Sequence, residues 1–244
     1  MAYQNYLNLN SEEKNRKIYR VMPIHHLIEV FNNNQNTLSK PRLWDDPFEN
    51  FILQSKAKLP DGKIVSFGMR DSFYGQCWTF QKESDAMWRI YSPDKNGVKI
   101  RTTIKKLFES FYNSVPQKRR DVSCFVGKVK YLTRLGIQRL LKRPISLESS
   151  GAGVADTLLI KRKAFSHEKE VRLIYWADEN EAISEIYQYH VNPHLLIEQI
   201  VFDPRLNKQL YKVYKDYLKR LNYAGKIIQS SLYKAPENIF VKLP

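Results

Sequence analysis

The chain of 244 residues is poor in the signatures that assign chemistry on sight. It has two cysteines, Cys77 and Cys124, with no C-x-x-C spacing. They make neither a zinc signature nor a disulfide framework, and they fit a reducing cytosol. No apolar run approaches the length of a membrane span. Met1 to Tyr6 is polar and lacks the apolar centre of a signal peptide, so the expected location is the cytoplasm, with no membrane partner. There is no G-x-x-x-x-G-K-[ST] and no G-x-G-x-x-G, which leaves P-loop and Rossmann chemistry without support. His25-His26 and His167-Glu168 do not form H-E-x-x-H, and no His/Cys cluster has ligand spacing, so no metal ligand is assigned. The G-x-S-x-G elbow is absent. The E-x-K triplet that a metal nuclease carries on a strand occurs here as Glu12-Glu13-Lys14, in a polar segment. No repeat recurs, and no linker divides the chain.

What the chain has in excess is positive charge. Its formal net charge is +15 and its pI about 9.6, with 43% hydrophobic and 13% aromatic residues. The composition is that of a globular protein with enough chain for one large domain. The charge favours a polyanionic partner: nucleic acid, an acidic antitoxin-like protein or a phosphate-bearing ligand. Between Gln117 and Arg143, nine Lys or Arg (Lys118, Arg119, Arg120, Lys128, Lys130, Arg134, Arg139, Lys142, Arg143) face a single acid, Asp121. A second concentration follows Arg205. There Leu206, Leu210, Val213 and Tyr217 recur at helical spacing. Lys208, Lys212, Lys215 and Lys219 repeat that spacing roughly 200° round the helix. The expectation is a helix that buries an apolar stripe and shows a basic one, either a solubilising face or a phosphate track.

Local signals predict mixed α and β structure. Residues 1–17 read as a loose polar arm, and 18–244 as the domain. Ile18–Met22 reads as a strand. Pro23 opens a helix with Ile24, Leu27, Val30 and Phe31 on one face, ended by Asn32-Asn33-Asn34. Residues 38–51 read as a structured loop. Gly75–Phe80 reads as a strand, and Ser84 or Asp85 caps a helix through Tyr91. The Asn96-Gly97 turn precedes an alternating strand, Val98–Thr102, and a helix to about Tyr112. Val122–Leu132 is mostly strand, and Ala155–Phe165 is expected to be helical. Strands are expected near 170–176, 186–191 and 198–203, and a last one over Lys226–Tyr233.

The chemistry-bearing feature is Glu168-Lys169-Glu170 at the head of the strand-like run Val171–Trp176. On an extended chain, residues two apart face the same way, so the two carboxylates would share one side. Such crowding is costly unless a cation, a substrate or a proton lies between them. The bland alternative is a solvated patch before a buried strand.

This pair closes an ordered set. It is preceded by Tyr19-Arg20, by Asp45-Asp46-Pro47-Phe48-Glu49, by Cys77-Trp78-Thr79-Phe80, and by Met87-Trp88 with Tyr91. Arg172 follows it. Together these resemble a bacterial family of uncharacterised proteins, a domain of unknown function, over roughly residues 18–235. The order arginine on a first strand, Ser/Thr on a middle strand and glutamate on a late strand also resembles the ADP-ribosyltransferase fold. That resemblance implies an α+β single domain with a split, mostly antiparallel sheet flanked by helices. It implies NAD as co-substrate, split at the nicotinamide–ribose bond. Arg20 would hold the pyrophosphate or ribose side, and Thr79 the nicotinamide ribose. Tyr19, Trp88 and Tyr91 would clamp the nicotinamide. Glu170 would stabilise the ribosyl cation, and Glu168 would activate or select the acceptor. The middle strand reads C-W-T-F rather than S-T-S.

Each residue also has a structural alternative. Arg20 could pair with the Asp45-Asp46 loop, Arg172 could partner Glu170, and Met87, Trp88 and Tyr91 could be core. The expected function is an ADP-ribosyltransferase toxin acting on nucleic acid, RNA before single-stranded DNA, in a toxin–antitoxin or anti-phage setting with an acidic antitoxin. The alternatives are a non-catalytic nucleic-acid-binding module, and a metal-dependent nuclease built on Asp46, Glu49, Glu168 and Glu170.

Overall fold

The computed structural model describes residues 5–44, 46, 48–142, 150–237, 240 and 242. Asp45, Pro47, Arg143 and the first four residues of the expected arm lie outside the described residues. Among the described residues, ten strands form one sheet. They are β1 (Tyr6–Leu7), β2 (Lys17–Pro23), β3 (Gln35–Ser39), β4 (Phe73–Thr79), β5 (Gly97–Thr103), β6 (Cys124–Lys128), β7 (Glu170–Trp176), β8 (Ile186–His190), β9 (Gln199–Phe202) and β10 (Lys226–Gln229). The order is β1-β6-β7-β4-β2-β5-β9-β10, with β3 on the edge of β4 and β8 on β3. Only β1–β6 and β9–β10 are parallel pairs in this sheet. Lys130–Leu132 pairs with Ile160–Arg162 in a separate two-stranded sheet.

The sheet is split. β2 follows β5 over seven register positions but meets β4 at one, Tyr19 opposite Thr79. β3 meets β4 once as well, Ser39 opposite Gly75. Between these points Gln76, Cys77 and Trp78 carry no ladder pair on that side. Side-chain amides occupy the gap. Gln76 Nε2 donates to Asn36 Oδ1 (2.8 Å) and to the Thr37 carbonyl (2.7 Å), Trp78 Nε1 donates to Gln76 Oε1 (2.7 Å), and Asn36 Nδ2 donates to the Tyr189 hydroxyl (2.8 Å). Buried polar groups demand such partners.

Period-two alternation sends β7 to two cores. Val171, Leu173 and Tyr175 face a large core with Tyr74 and Trp78. Covering this face are α1 (Ile24–Asn33), through Leu27 and Phe31, and α3 (Ile104–Tyr112), through Ile104, Leu107, Phe108 and Phe111; the shorter α2 (Asp85–Tyr91) lies between them in sequence. Ile174 faces a second core with Phe73, Phe125 and Leu159, closed by Val154 and Ala155 of α4 (Ala152–Thr157). Helices on both faces of a mostly antiparallel sheet make this an α+β fold. α1 starts behind Pro23 and stops at Asn34, which takes φ 51° as a left-handed cap, a conformation asparagine tolerates.

Three expectations differ from the structure. From Asn5 on, the polar arm is docked, not loose. Asn5 Nδ2 donates to the carbonyls of Asp121 (2.9 Å) and Cys124 (2.7 Å), and the Tyr6 ring packs 4.7 Å from Phe108. The segment expected as one helix over Ala155–Phe165 is instead α4, the strand Ile160–Arg162 and a 3₁₀ helix, Lys163–Glu168. The basic helix is present as α5 (Lys208–Arg220), but its buried stripe is rotated. Tyr211, Tyr214, Leu218 and Leu221 face the core, while Leu210 and Val213 are 46% and 61% exposed. Tyr211 and Tyr214 set their rings against Phe202, at 5.4 and 6.1 Å. Burying two aromatic rings outweighs burying Leu210 and Val213. No helix among the described residues is long and apolar enough to cross a membrane.

Phe111 is fully buried and its ring meets Tyr175 and Tyr189 edge-on. Phe111→Ala is expected to lower stability by about 3–5 kcal/mol, read as a drop in the urea midpoint at unchanged slope.

Candidate active site

The split between β2 and β4 opens into a cavity of about 390 Å³, within the usual range for a small-molecule site. Tyr19, Arg20 and Val21 line it from β2, and Gly75 through Thr79 from β4. Met87, Ile90 and Tyr91 line it from α2, with Trp44, Asp46 and Glu49 from the preceding loop. The floor is Lys161, Phe165, His167, Glu168 and Glu170.

The two glutamates converge, but not by strand parity. Glu168 ends the 3₁₀ helix, Lys169 takes φ 46°, and β7 begins only at Glu170. The left-handed residue turns the chain so that both carboxyl groups meet the same ammonium. Lys161 Nζ lies 2.5 Å from Glu168 Oε2, 2.6 Å from Glu170 Oε1 and 2.9 Å from Glu49 Oε1. Arg172 donates from Nε to Glu170 Oε2 (2.7 Å), from one terminal nitrogen to Glu49 Oε2 (2.7 Å) and from the other to the Leu158 carbonyl (2.7 Å). Its guanidinium lies 4.6 Å from the Trp44 ring centroid. That ring crosses Gly75, where an added Cβ would come within 2.6 Å of it. All five charged groups are buried, Arg172 at 0% exposure and both glutamates of the pair at 4%.

Three carboxylates and two cations leave one negative charge over, and the environment divides it unequally. Burial, then a hydrogen bond shared with Glu170, pushes Glu168 up to about 7. Burial pushes Glu170 the same way, but the Arg172 guanidinium, the bond from Glu168 and Lys161 override it and hold Glu170 down to about 2. At neutral pH the pair therefore presents one firm carboxylate beside one group that readily carries a proton. Tyr91 completes Glu168, its hydroxyl donating to Oε1 at 3.0 Å. The Tyr131 hydroxyl accepts the Glu170 N–H at 2.8 Å.

The other expected site residues are distributed as follows. Tyr19 lines the cavity, paired in register with Thr79. The Thr79 hydroxyl is already engaged, donating to the Glu168 carbonyl and accepting from Gln81 N–H at 2.9 Å. It orders the turn that carries Glu168. Trp88 is 1% exposed and is not among the cavity-lining residues. Its Nε1 donates to Glu83 Oε1 (2.6 Å), and Lys99 Nζ lies 5.3 Å from its ring. One helical step of 100° carries Trp88 off the face shared by Met87, Ile90 and Tyr91. Arg20 is half-buried in the cavity wall, and burial lowers its pKa. Asp46 pairs with Arg162 (2.8 Å) and not with Arg20. Among the described residues, Arg20 has no ion-pair partner.

Glu49, Cys77 and Glu170 bring three donor atoms within 4.8 Å of one another. Lys161 and Arg172 already bind the carboxylates of that group. Burial raises the Cys77 thiol far above its ordinary pKa, and a thiol must ionise to ligate. Lys161 was invisible to spacing arguments. It stands in a stretch expected to be helical, and no periodicity links it to the glutamates.

Residues 87–173 match the family described as a protein of unknown function (DUF2971), so the resemblance to a family of uncharacterised proteins holds from Met87 within α2 to Leu173. No curated protein matches the chain. Among solved structures, Thermus sp. 2.9 DarT in complex with NAD+ aligns with a TM-score of 0.40 and 12% identity, over 89% of this chain and 96% of that chain. The same protein in complex with carba-NAD+ gives 0.39 and 11%, over 89% and 96%. With ADP-ribosylated ssDNA it gives 0.40 and 13%, over 92% and 97%.

Two outcomes test the site. Arg172→Leu leaves three buried acids with Lys161 as their one cation and is expected to cost about 3–5 kcal/mol, seen as a fall in the thermal midpoint. Glu168 has a raised folded pKa, so its contribution is fully present below about 4.5 and is lost as pH rises through about 7. Glu170 has a depressed one, so its contribution is present above about 4.5 and is lost as pH falls through about 2. Glu168→Gln should therefore flatten the decline in melting temperature between pH 4.5 and 7 relative to wild type, and leave the decline below pH 4.5 in place.

Proposed function

We propose that this protein is an NAD-consuming ADP-ribosyltransferase whose acceptor is nucleic acid. The observation that carries the reading is a single cavity lined both by a guanidinium without an ion-pair partner among the described residues, Arg20, and by a firmly ionised carboxylate, Glu170. NAD asks for that combination: an anion-binding group for its pyrophosphate, and a fixed negative charge where positive charge develops on the nicotinamide ribose. Tyr19 and Tyr91 offer aromatic surface beside it. Thr79 serves by holding the Glu168 turn rather than by touching ribose. Residues 18–244 form the transferase unit, with residues 5–17 docked on it.

In the reaction, the bond between the ribose C1′ and the nicotinamide nitrogen breaks. Nicotinamide leaves with the electron pair, and the ribosyl cation forms opposite Glu170. An acceptor nitrogen or oxygen then bonds to C1′ and loses its proton. Glu168, whose carboxyl changes charge near neutral pH, is suited to receive that proton once ionised.

The acceptor class rests on charge. Arg119, Lys128 and Lys130 are paired with acids, whereas Arg134, Arg139, Lys208, Lys212 and Lys219 are exposed and have no carboxylate partner among the described residues. Free surface cations bind phosphates through counterion release without choosing sequence. Among the described residues Phe48, Tyr233 and Phe240 are exposed and offer stacking surface to unstacked bases; the favoured acceptor is RNA, with single-stranded DNA the alternative. The setting that fits is a cytoplasmic toxin, in a toxin–antitoxin or anti-phage system, neutralised by an acidic protein.

The test is labelled NAD incubated with RNA, single-stranded DNA and lysate protein. Wild type should transfer label to nucleic acid. Glu170→Gln should reduce transfer by about 10²–10³ with NAD affinity retained. Arg20→Ala should instead weaken NAD binding by about 1.5–3 kcal/mol, read by calorimetry. A folded wild-type protein that neither releases nicotinamide nor labels any acceptor would refute the reading.

A further inference from the structure

The proposed reaction needs one carboxylate charged and aimed, yet three glutamates crowd the cavity floor, and Lys161 is the cation they share. An ammonium has three donors. Lys161 gives one to Glu168 and one to Glu170, at 2.5 and 2.6 Å, and pairs with Glu49 at 2.9 Å. The Phe165 ring lies 4.7 Å from its nitrogen, and the side chain is 4% exposed.

The outer oxygens of the three acids are held differently. Those of Glu49 and Glu170 receive the Arg172 guanidinium, while that of Glu168 receives only the neutral Tyr91 hydroxyl. Charged and titratable groups face this point from every side: Glu49 from the loop before residue 50, Glu168 from the 3₁₀ helix, and Glu170 and Arg172 from β7. Cys77 stands on β4, Tyr91 on α2 and Tyr131 on Lys130–Leu132. Arg162, next along Lys161's own strand, turns to Asp46 instead.

We propose that Lys161 is a positioning residue for the transferase: its ammonium fixes the two cavity carboxyl groups side by side and, together with Arg172, assigns the negative charge to Glu170 and the proton to Glu168. The inference rests on the transferase reading for what is being positioned, namely the carboxylate opposite the ribosyl cation. With the ammonium gone, Glu170 shares one guanidinium with Glu49, Glu168 meets no described cation, and the hold on the Glu170 charge weakens.

The experiment labels glutamate carboxyl carbons with ¹³C, follows their titration by NMR, and measures nicotinamide release from NAD against pH. In Lys161→Met, which keeps the stem and removes the charge, the Glu170 midpoint should rise by about one to three pH units. The acid limb of the kcat/KM profile should rise with it, while KM for NAD changes by less than about threefold. Lys161→Arg should return the limb toward wild type. Identical titrations and acid limbs in wild type and Lys161→Met would overturn the proposal, whether activity is kept or lost.

If Lys161→Met does not fold, Glu49→Gln decides. It leaves Lys161 in place with one fewer acid, so the Glu168 midpoint should fall, and an unmoved midpoint overturns the proposal. The titration needs no turnover. A wild type that consumes no NAD therefore removes the transferase reading, while the assignment of charge by Lys161 is still decided by the ¹³C midpoints.

Discussion

Five buried charges, Lys161 and Arg172 against Glu49, Glu168 and Glu170, form the contact on which the rest of the cavity depends. Desolvation makes such a cluster a poor source of stability. What it supplies is placement. It draws the loop ending at Glu49, the short strand bearing Lys161 and the head of β7 to one point. It sets the requirement for a left-handed Lys169, because only a sharp reversal brings Glu168 back to the same ammonium as Glu170. The Trp44 ring over Arg172, and the missing side chain at Gly75 beneath that ring, belong to the same construction.

Against this closed cluster, Arg20 is informative because no described acid meets it. In a chain of net charge +15, a cation is no evidence of anything. A half-buried cation in a cavity wall with no described acid beside it is costly to keep. Of the two acids expected to meet it, Asp46 is engaged by Arg162, and Asp45 lies outside the described residues. The cations paired among the described residues organise the floor, and Arg20 stands apart from them in the wall.

The sequence carried much of this, unevenly. Alternation and helical spacing located β2, β4, β5 and β7, and the helices α1 to α3, because each has one face against apolar partners and the other toward something polar. The E-x-E carboxyl groups do meet, but not by the geometry expected. Strand parity was the argument, whereas a backbone turn that composition does not announce is the cause. Tyr19, Arg20 and Tyr91 line the cavity; Trp88 does not, because its position on the helix turns the indole to Glu83 and Lys99. The α5 stripe failed for a related reason: spacing marks which residues could share a face, and the surface of Phe202 chose the tyrosines. Lys161 was not legible at all. A lysine is ordinarily a surface residue, and only three acids distant in sequence or turned back on the chain make it an interior one.

The single rung between Tyr19 and Thr79 has a mechanical meaning. Each half of the sheet keeps its own full ladder, β2 with β5 on one side and β4 with β7 on the other. What ties the halves together besides that rung is side-chain packing: Ile18 and Met22 of β2 share one buried core with Trp78 of β4 and Val171 of β7. The wall that carries Arg20 and the floor that carries Glu170 are therefore spaced by apolar side chains rather than by a backbone ladder, and the width of the cavity is written in the volumes of that core.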